Sequence, residues 1–364
     1  MRRASAQPVL GGMPPRSTIR SIIRTSRRMP DARAIATGMR RVSAPVVIAL
    51  LAAAVVGCGS SSSSSAPAPA GSVSSAANKA VKVTGPFGAS PQVVIPKEKA
   101  GPSLFTKTLI QGAGNPLTTS ESLVGNFVLY DWKGTTGKLV GSTYTSGSPT
   151  LFSGQMLPGL EAALIGKKAG SRVLAVIPPK DGFGASGNSQ IGVGATDTLV
   201  FVIDMVSEIG NTDAATGAKV SGGGGKLPTV TVTPGKAPTV KIPATAPPAK
   251  LTVKTLAQGT GDKVAKGDYV IVQYTGVIWK SGKVFDSSWS RSAPFAFNIG
   301  AGQVVKGWDN GLLGQSVGSR VLLAVPPADG YGKAGVSSGT VKIAGTDTLV
   351  FVVDILGTYK PTKK

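Results

Sequence analysis

The second half of this chain repeats the first half at a nearly constant spacing. Matching residues include Pro91 and Pro238, Gly170 and Gly318, and Thr196 and Thr346. These pairs are 147, 148 and 150 residues apart. Short repeats stack into solenoids, whereas a repeat of this length duplicates a whole domain. The sequence therefore predicts two copies of one domain, each of about 110–130 residues and with its own core.

Strand patterns dominate the second copy. Runs of β-branched and aromatic residues predict strands at 268–274, 320–325 and 348–356, and the alternating segment 229–233 predicts one more. Helical character is confined to about Val304–Leu313, which follows two glycines. One short helix packed against an antiparallel sheet makes an α+β domain, which is the predicted fold class for both copies.

Composition removes several kinds of active site. The 364 residues include no histidine and a single cysteine. A Ser-His-Asp or Cys-His arrangement, a histidine-ligated metal and an intrachain disulfide are therefore excluded. Any catalysis by this chain has to work with other groups.

A positively charged segment and an apolar run precede the repeats. Arg40 and Arg41 lead into the apolar stretch from Pro45 to Val56, and Cys58 follows. About a dozen apolar residues in this setting are typical of a secretory signal and too few to span a bilayer. The last four residues, VVGC, resemble a bacterial lipobox, which implies that Cys58 is lipidated. An ordinary signal peptide that happens to contain cysteine is the alternative.

The start of translation and the route of export stay open. The 38 residues before Met39 are rich in arginine and lack apolar periodicity, so Met1 and Met39 are both candidate start sites. A twin-arginine signal at Arg27–Arg28 is less favoured, because no apolar run follows it closely. Serine and alternating proline after Cys58 predict a flexible tether, and Gly222–Gly225 predict a flexible linker between the copies.

These observations divide the chain into five predicted segments. They are a basic extension with a lipoprotein signal peptide at 1–57, a Ser/Ala/Pro-rich tether at 58–80, a first domain at 81–208, a Gly-rich linker at 209–228 and a second domain at 229–360.

The net charge of +22 does not indicate nucleic acid. Ten arginines and one acid lie in residues 1–57, and the later positive charges are mostly single, scattered lysines. A nucleic-acid surface would show a basic stripe or an arginine cluster. We interpret the lysines as a solvated surface and expect no nucleic-acid partner.

Seven aromatic residues in the second copy require an explanation. They are Tyr274, Phe285, Phe295, Phe297, Trp308, Tyr331 and Phe351. A hydrophobic core would account for any one of them alone. However, Asp286 directly follows Phe285, and glycines flank Tyr331. A carboxylate and a phenol suit the rim of an apolar cleft better than a core.

Five motifs appear in order in the same copy: YTG at 274–276, GKVFDSS at 282–288, PFAF at 294–297, VVKGW at 304–308 and GYG at 330–332. With the closing TLVF at 348–351, residues 250–358 resemble an FKBP-type peptidyl-prolyl cis-trans isomerase. The resemblance implies a bent antiparallel sheet wrapped around one short helix in each domain. The layout of a lipoprotein with two such domains resembles secreted actinobacterial members of the family.

The resemblance also implies the roles of individual residues. Catalytic roles fall on Asp286, Tyr331, Trp308, Phe285 and Phe351, with Trp308 as the floor of a proline pocket and Asp286 and Tyr331 as its polar rim. Substrate contacts fall on Tyr274, Phe295, Phe297, Val304, Val305 and Ile343, and the hydroxyl of Tyr331 and the backbone N–H of Val305 would donate to substrate carbonyls. Ile343 matches an apolar flap residue, and Ala344-Gly345 replace the family's usual proline pair.

The implied chemistry suits these residue types. Rotation about an X–Pro bond is slow because amide resonance sets a barrier of about 18–20 kcal/mol. An apolar pocket disfavours the charge-separated planar amide, so neither a nucleophile nor a cofactor is needed. The expected partners are proline-containing polypeptides and macrolides of the tacrolimus or rapamycin type. The expected form is a monomer anchored by its lipid at the extracytoplasmic face of the cell membrane, where it assists the folding of exported proteins.

The first copy matches this pattern poorly. Tyr130, Phe152 and Phe201 are read as retained aromatics, whereas Val140, Gly141, Thr150, Leu160 and Phe183 stand at the positions of Phe285, Asp286, Phe295, Trp308 and Tyr331. We therefore expect the first domain to keep the fold and to have little activity, as a spacer or a substrate-binding platform. Two alternatives for the whole chain are a non-catalytic peptide-binding or chaperone module and a basic structural protein of the cell envelope.

Overall fold

A computed structural model describes residues 76–220, 225–338 and 341–361. The predicted signal segment, Met39, Cys58 and the tether up to residue 75 lie outside the described residues. No helix in the described part of the chain is long and apolar enough to cross a membrane.

The first domain is built on one antiparallel sheet. It begins with a short helix, α1 (Ala76–Lys79), and continues with β1 (Lys82–Thr84), β2 (Gln92–Val94), β3 (Phe105–Ile110), β4 (Glu121–Lys133), β5 (Thr136–Ser142), α2 (Thr143–Ser146), β6 (Thr150–Phe152), α3 (Pro158–Leu164), β7 (Arg172–Ile177) and β8 (Thr198–Gly210). The strand order is β3-β7-β8-β4-β5, and β6 pairs with one end of β4. The sheet curves around α3, which packs on its inner face.

The second domain repeats this topology. Its elements are β10 (Thr229–Thr231), β11 (Thr239–Lys241), β12 (Thr252–Gln258), β13 (Tyr269–Ile278), β14 (Val284–Ser287), β15 (Phe295–Asn298), α4 (Lys306–Gly311), β16 (Arg320–Val325), β17 (Val336–Ser338), β18 (Val341–Ile343) and β19 (Leu349–Tyr359). The central order β14-β13-β19-β16-β12 matches that of the first domain, with β15 on β13. The α+β class predicted from the sequence is confirmed.

The sheet of each domain is apolar on both faces. In the second domain Val321, Leu323 and Val325 lie in the inner cluster with α4, whereas Leu322 and Ala324 lie in a separate outer cluster. This is the period of two expected of a strand. Because both faces are buried, β16 is a continuous apolar run after Arg320 rather than an alternating one.

A β-hairpin formed by the first two strands of each domain covers the outer face. In the second domain Val230 and Val240 of the β10–β11 hairpin pack against the buried cluster that includes Val277 and Val350. In the first domain the β1–β2 hairpin covers the corresponding cluster. The indole of Trp279 donates to the carbonyl of Thr245 at 3.2 Å. Trp132 makes the same bond to Glu98 at 3.0 Å.

The predicted elements differ from the structure mainly at their ends. The helix expected at about Val304–Leu313 spans Lys306–Gly311. Strand β8 continues to Gly210, and Ala218–Lys219 form a two-residue strand, β9, which pairs with the edge of β12. The predicted linker at 209–228 thus contains paired residues at both its beginning and its middle.

Candidate active site

Helix α4 places one tryptophan at the centre of an aromatic cluster. Trp308 is 3% exposed and contacts rings from three strands. Its centroid lies 5.1 Å from Tyr274 of β13, 5.5 Å from Phe297 of β15 and 5.3 Å from Phe351 of β19. The rings of Tyr274 and Phe351 meet the indole nearly edge to face, at 84° and 86°. Such contacts stabilise aromatic pairs beyond the area that they bury.

The remaining predicted apolar residues join the same cluster. Phe285 packs on Phe351 with centroids 5.6 Å apart, and Phe295 stacks on Phe297 at 5.7 Å. Five of the predicted residues in the cluster are only partly buried: Phe285, Phe295, Val304, Val305 and Tyr331. These side chains retain exposed surface over a buried aromatic floor. The structure therefore brings the predicted set together, and the individual roles stay predictions.

Gly276 of β13 makes room for one wall of the cleft. A Cβ at this position would lie 2.7 Å from the ring of Phe285 and 3.1 Å from that of Phe351. No side chain fits there while both rings keep their places. The YTG motif therefore has a packing reason that the sequence alone does not show.

The rim is a three-residue network rather than a single carboxylate. Asp286 accepts a short hydrogen bond from the hydroxyl of Tyr274. Arg291 donates to Asp286 at 2.5 Å and to the hydroxyl oxygen of Tyr274 at 2.9 Å. Arg291 lies on the 3-10 turn Trp289–Arg291, which ends at Ser292 with φ 49°. Sequence reasoning missed Arg291, whose only signal was its position five residues after Asp286.

Two tyrosines of the site remain protonated at neutral pH. Burial and the charge of Asp286 raise the pKa of Tyr331 to about 12. The same two causes raise the pKa of Tyr274. The hydroxyl of Tyr331 has no hydrogen-bond partner among the described residues. It is therefore an available donor beside the cleft.

The flap is a small hairpin of β17 and β18 over the cluster. Ile343 is 4% exposed and packs into the same core as Trp308, with Val336 and Val341 beside it. A Cβ at Gly345 would lie 2.1 Å from the carbonyl oxygen of Lys333. The proline pair that is usual at this point of the family therefore cannot be accommodated by this backbone.

In the first domain, leucine side chains fill the space that corresponds to the cleft. Leu160 of α3 stands at the position of Trp308, and Leu129 of β4 stands at that of Gly276. Both leucines are buried in the inner cluster. Gly141 replaces Asp286, so the carboxylate of the rim is missing. The sequence showed all of these losses except the filling by Leu129.

One match between the two copies was wrong. Tyr130 does not correspond to Tyr274, because it packs into the outer cluster of the first domain. The equivalent residue is Phe127, which lies opposite Ile203 as Tyr274 lies opposite Val353. Its ring is 5.8 Å from both Phe152 and Phe201. The first copy thus retains three rings around its core, but without the hydroxyl.

Within residues 76–220, 225–338 and 341–361, no three His, Cys, Asp or Glu side chains converge so as to hold a metal ion. An apolar aromatic cleft with a carboxylate, a guanidinium and phenol groups at its rim suits the binding of an extended, uncharged peptide segment. On this bent sheet the arrangement has the features expected of a peptide-binding site.

Comparison with known proteins agrees with this class. The profile of the FKBP-type peptidyl-prolyl cis-trans isomerases matches residues 119–206 and again 261–356. The chain therefore belongs to this family, and its assignment as an isomerase is confirmed.

Individual relatives match different shares of this chain. An FK506-binding protein of Streptomyces anulatus is 43% identical over 119 residues, which are 33% of this chain and 94% of the relative. FK506-binding protein 2B of Rhizopus delemar is 48% identical over 101 residues, and these span about half (46%) of its length and 28% of this chain. Among solved structures, this chain is similar to the crystal structure of the three FKBP domains of wheat FKBP73. The match covers 71% of this chain and 95% of the wheat chain, with 23% identity and a TM-score of 0.29.

Proposed function

We propose that the second domain, 229–360, carries most of the isomerase activity of this chain. The observation that supports this is the difference between the two inner clusters. The second domain holds Trp308, Gly276 and Asp286 in one cleft, whereas the first has Leu160, Leu129 and Gly141 at those positions. Among the described residues, only the second domain combines a tryptophan at the floor of the cluster with a carboxylate at its rim.

The mechanism follows from the environment of the bound amide. A proline ring over Trp308 places the X–Pro bond among Phe285, Phe351 and Tyr331. Transfer from water into this apolar surround destabilises the planar amide relative to the twisted one, which has less charge separation. The network of Asp286, Tyr274 and Arg291 fixes the rim, since each of its members is held by two others.

Two donors are placed to hold the substrate while the bond turns. The N–H of Val305 lies just before α4 and has no acceptor among the described residues. The hydroxyl of Tyr331 likewise has no acceptor among the described residues. Hydrogen bonds from both to flanking carbonyls would fix one side of the peptide, so that the other side rotates.

Tyr331→Leu and the matched Phe183→Leu separate the two domains. We expect Tyr331→Leu to lower kcat/KM for a short X–Pro peptide by about tenfold, which is the value of one good hydrogen bond. Phe183→Leu should leave it within about twofold. A protease-free isomerisation assay on the full chain measures both. A larger effect of Phe183→Leu would place catalysis in the first domain.

The same assay, combined with a measurement of macrolide binding, tests the non-catalytic alternative. Binding of a tacrolimus-type macrolide without turnover of any X–Pro peptide would make the protein a docking module. We propose that such macrolides and proline-containing polypeptides share the cleft over Trp308. Two of the matched relatives are named as FK506-binding proteins.

We further propose that the protein is exported and anchored through Cys58. The support is the arrangement of Arg40, Arg41, the apolar run and Cys58. We expect Cys58→Ser to abolish incorporation of a labelled fatty acid and to move the protein from the membrane fraction into the soluble fraction. Ser60→Ala, two residues later, should change neither. Retention of the label in Cys58→Ser would rule out this anchor.

A further inference from the structure

The two domains contact each other through the same face of their sheets. A separate apolar cluster joins Val124, Leu151, Val206 and Ile209 of the first domain to Ile271, Ala296, Leu356 and Tyr359 of the second. These are equivalent positions, because Val124 pairs with Leu151 as Ile271 pairs with Ala296. The contact thus resembles the two-fold interface of a homodimer, formed within one chain.

Side-chain hydrogen bonds cross the same interface. The N–H of Leu151 donates to the hydroxyl oxygen of Tyr269 at 3.0 Å. Asn298 donates from Nδ2 to the hydroxyl of Ser148 at 2.7 Å. The hydroxyls of Ser207 and Tyr359 are 2.6 Å apart. Burial raises the pKa of Tyr269 to about 12. The two domains are therefore matched in polar as well as apolar groups.

One strand of the second domain has this interface on one side and the cleft on the other. In β15, Phe295 and Phe297 face Trp308. Ala296 and Asn298 alternate with them and contact the first domain. This is the two-sided geometry of a strand. Phe295 and Phe297 therefore depend on a strand whose opposite side rests on residues 148–151.

Strand β15 needs such support. It has four residues and pairs with one end of β13 only. A short strand with a single neighbour opens easily when its outer side is exposed. In this chain Leu151 and Ser148 cover that side.

We propose that Leu151 and Ser148 of the first domain are positioning residues for the active site of the second, acting through β15 on Phe295 and Phe297. This rests on the proposed function in placing catalysis in the second domain. The first domain then contributes to substrate binding without a working cleft of its own. In this proposal the first copy of the domain stabilises the position of β15 in the second copy.

Leu151→Asp in the full chain tests this proposal. A carboxylate against Ala296 and Ile271 opens the interface. We expect about tenfold weaker binding of a tacrolimus-type macrolide, a rise in KM larger than the fall in kcat, and faster hydrogen exchange of the amides of 295–298. Leu139→Asp is the control, since Leu139 is 48% exposed on β5. Leu151→Ile should restore parental values.

Asn298→Ala provides an independent variant that leaves the first domain intact. It removes the hydrogen bond to Ser148, and Ser148→Ala should produce the same two- to threefold loss of macrolide affinity, with no further loss in the double variant. Unchanged exchange at 295–298 and unchanged affinity in Leu151→Asp would overturn the proposal. Exchange and affinity report on the cleft directly, so they remain decisive even if Tyr331→Leu shows that catalysis lies elsewhere.

Discussion

We expect Trp308→Leu to lower kcat/KM for a short X–Pro peptide by about a hundredfold. The indole contacts four rings, and Leu160 shows that the fold accommodates leucine at the equivalent position. Leucine leaves the cleft without a flat floor and lets the rings around it collapse inward. A hundredfold loss corresponds to about 3 kcal/mol of transition-state stabilisation.

A protease-free isomerisation assay on the full chain measures this effect, with macrolide binding as a second readout. Leu160→Ala is the matched control, because it opens a cavity at the same place in the first domain. It should reduce the free energy of unfolding of that domain and leave kcat/KM within about twofold. Near-parental activity of folded Trp308→Leu would contradict both the proposed site and its placement in the second domain.

The largest effect on the stability of the second domain is expected from Asp354→Ala. Arg320 of β16 donates two parallel hydrogen bonds to Asp354 of β19, both at 2.5 Å. The two side chains are 8% and 2% exposed. Removal of the carboxylate leaves a buried guanidinium without its counter-ion, which costs about 3–5 kcal/mol. This is a large part of the stability of an ordinary domain.

Denaturant unfolding followed by tryptophan fluorescence measures this loss. Asp181→Ala is the control, since Asp181 pairs with Lys180, whose side chain is 71% exposed, and such surface pairs contribute little. The double variant Arg320→Met/Asp354→Leu should recover most of the loss, because two apolar side chains replace the pair without leaving a charge. A loss below about 1 kcal/mol in Asp354→Ala would contradict this account.

The sequence was informative about the second domain because its motifs are local. YTG, PFAF and VVKGW each place their aromatic residues on a single strand or on one helix turn. Their order along the chain carried the resemblance to the FKBP-type family, and that resemblance predicted the cluster around Trp308. Arg291 was missed for the opposite reason. Its side chain reaches Asp286 from the 3-10 turn Trp289–Arg291. On sequence grounds a lone arginine is typical of a solvated surface charge.

The error at Tyr130 has a simple geometric cause. Tyr130 and Tyr274 share a residue type, but Tyr130 is three residues beyond Phe127, the true equivalent. An odd step along a strand moves a side chain to the other face of the sheet. The shared residue type suggested that Tyr130 matches Tyr274, whereas the strand register shows that Phe127 does. The sequence did not indicate that Leu129 fills the first cleft, because leucine is common in buried strands.

The two covering hairpins affect the order in which each repeat is synthesised and folds. The β10–β11 hairpin is the first part of the second domain to be synthesised. The cluster that it packs against includes Val350 of β19, which is among the last. Contacts between such distant parts of a chain slow folding, because the intervening loop must be closed before they form. The outer layer of each repeat therefore joins its first and last strands. The last strand is β8 in the first repeat and β19 in the second. Because the outer apolar face includes this strand, each repeat should complete its folding only after its last strand has emerged from the ribosome.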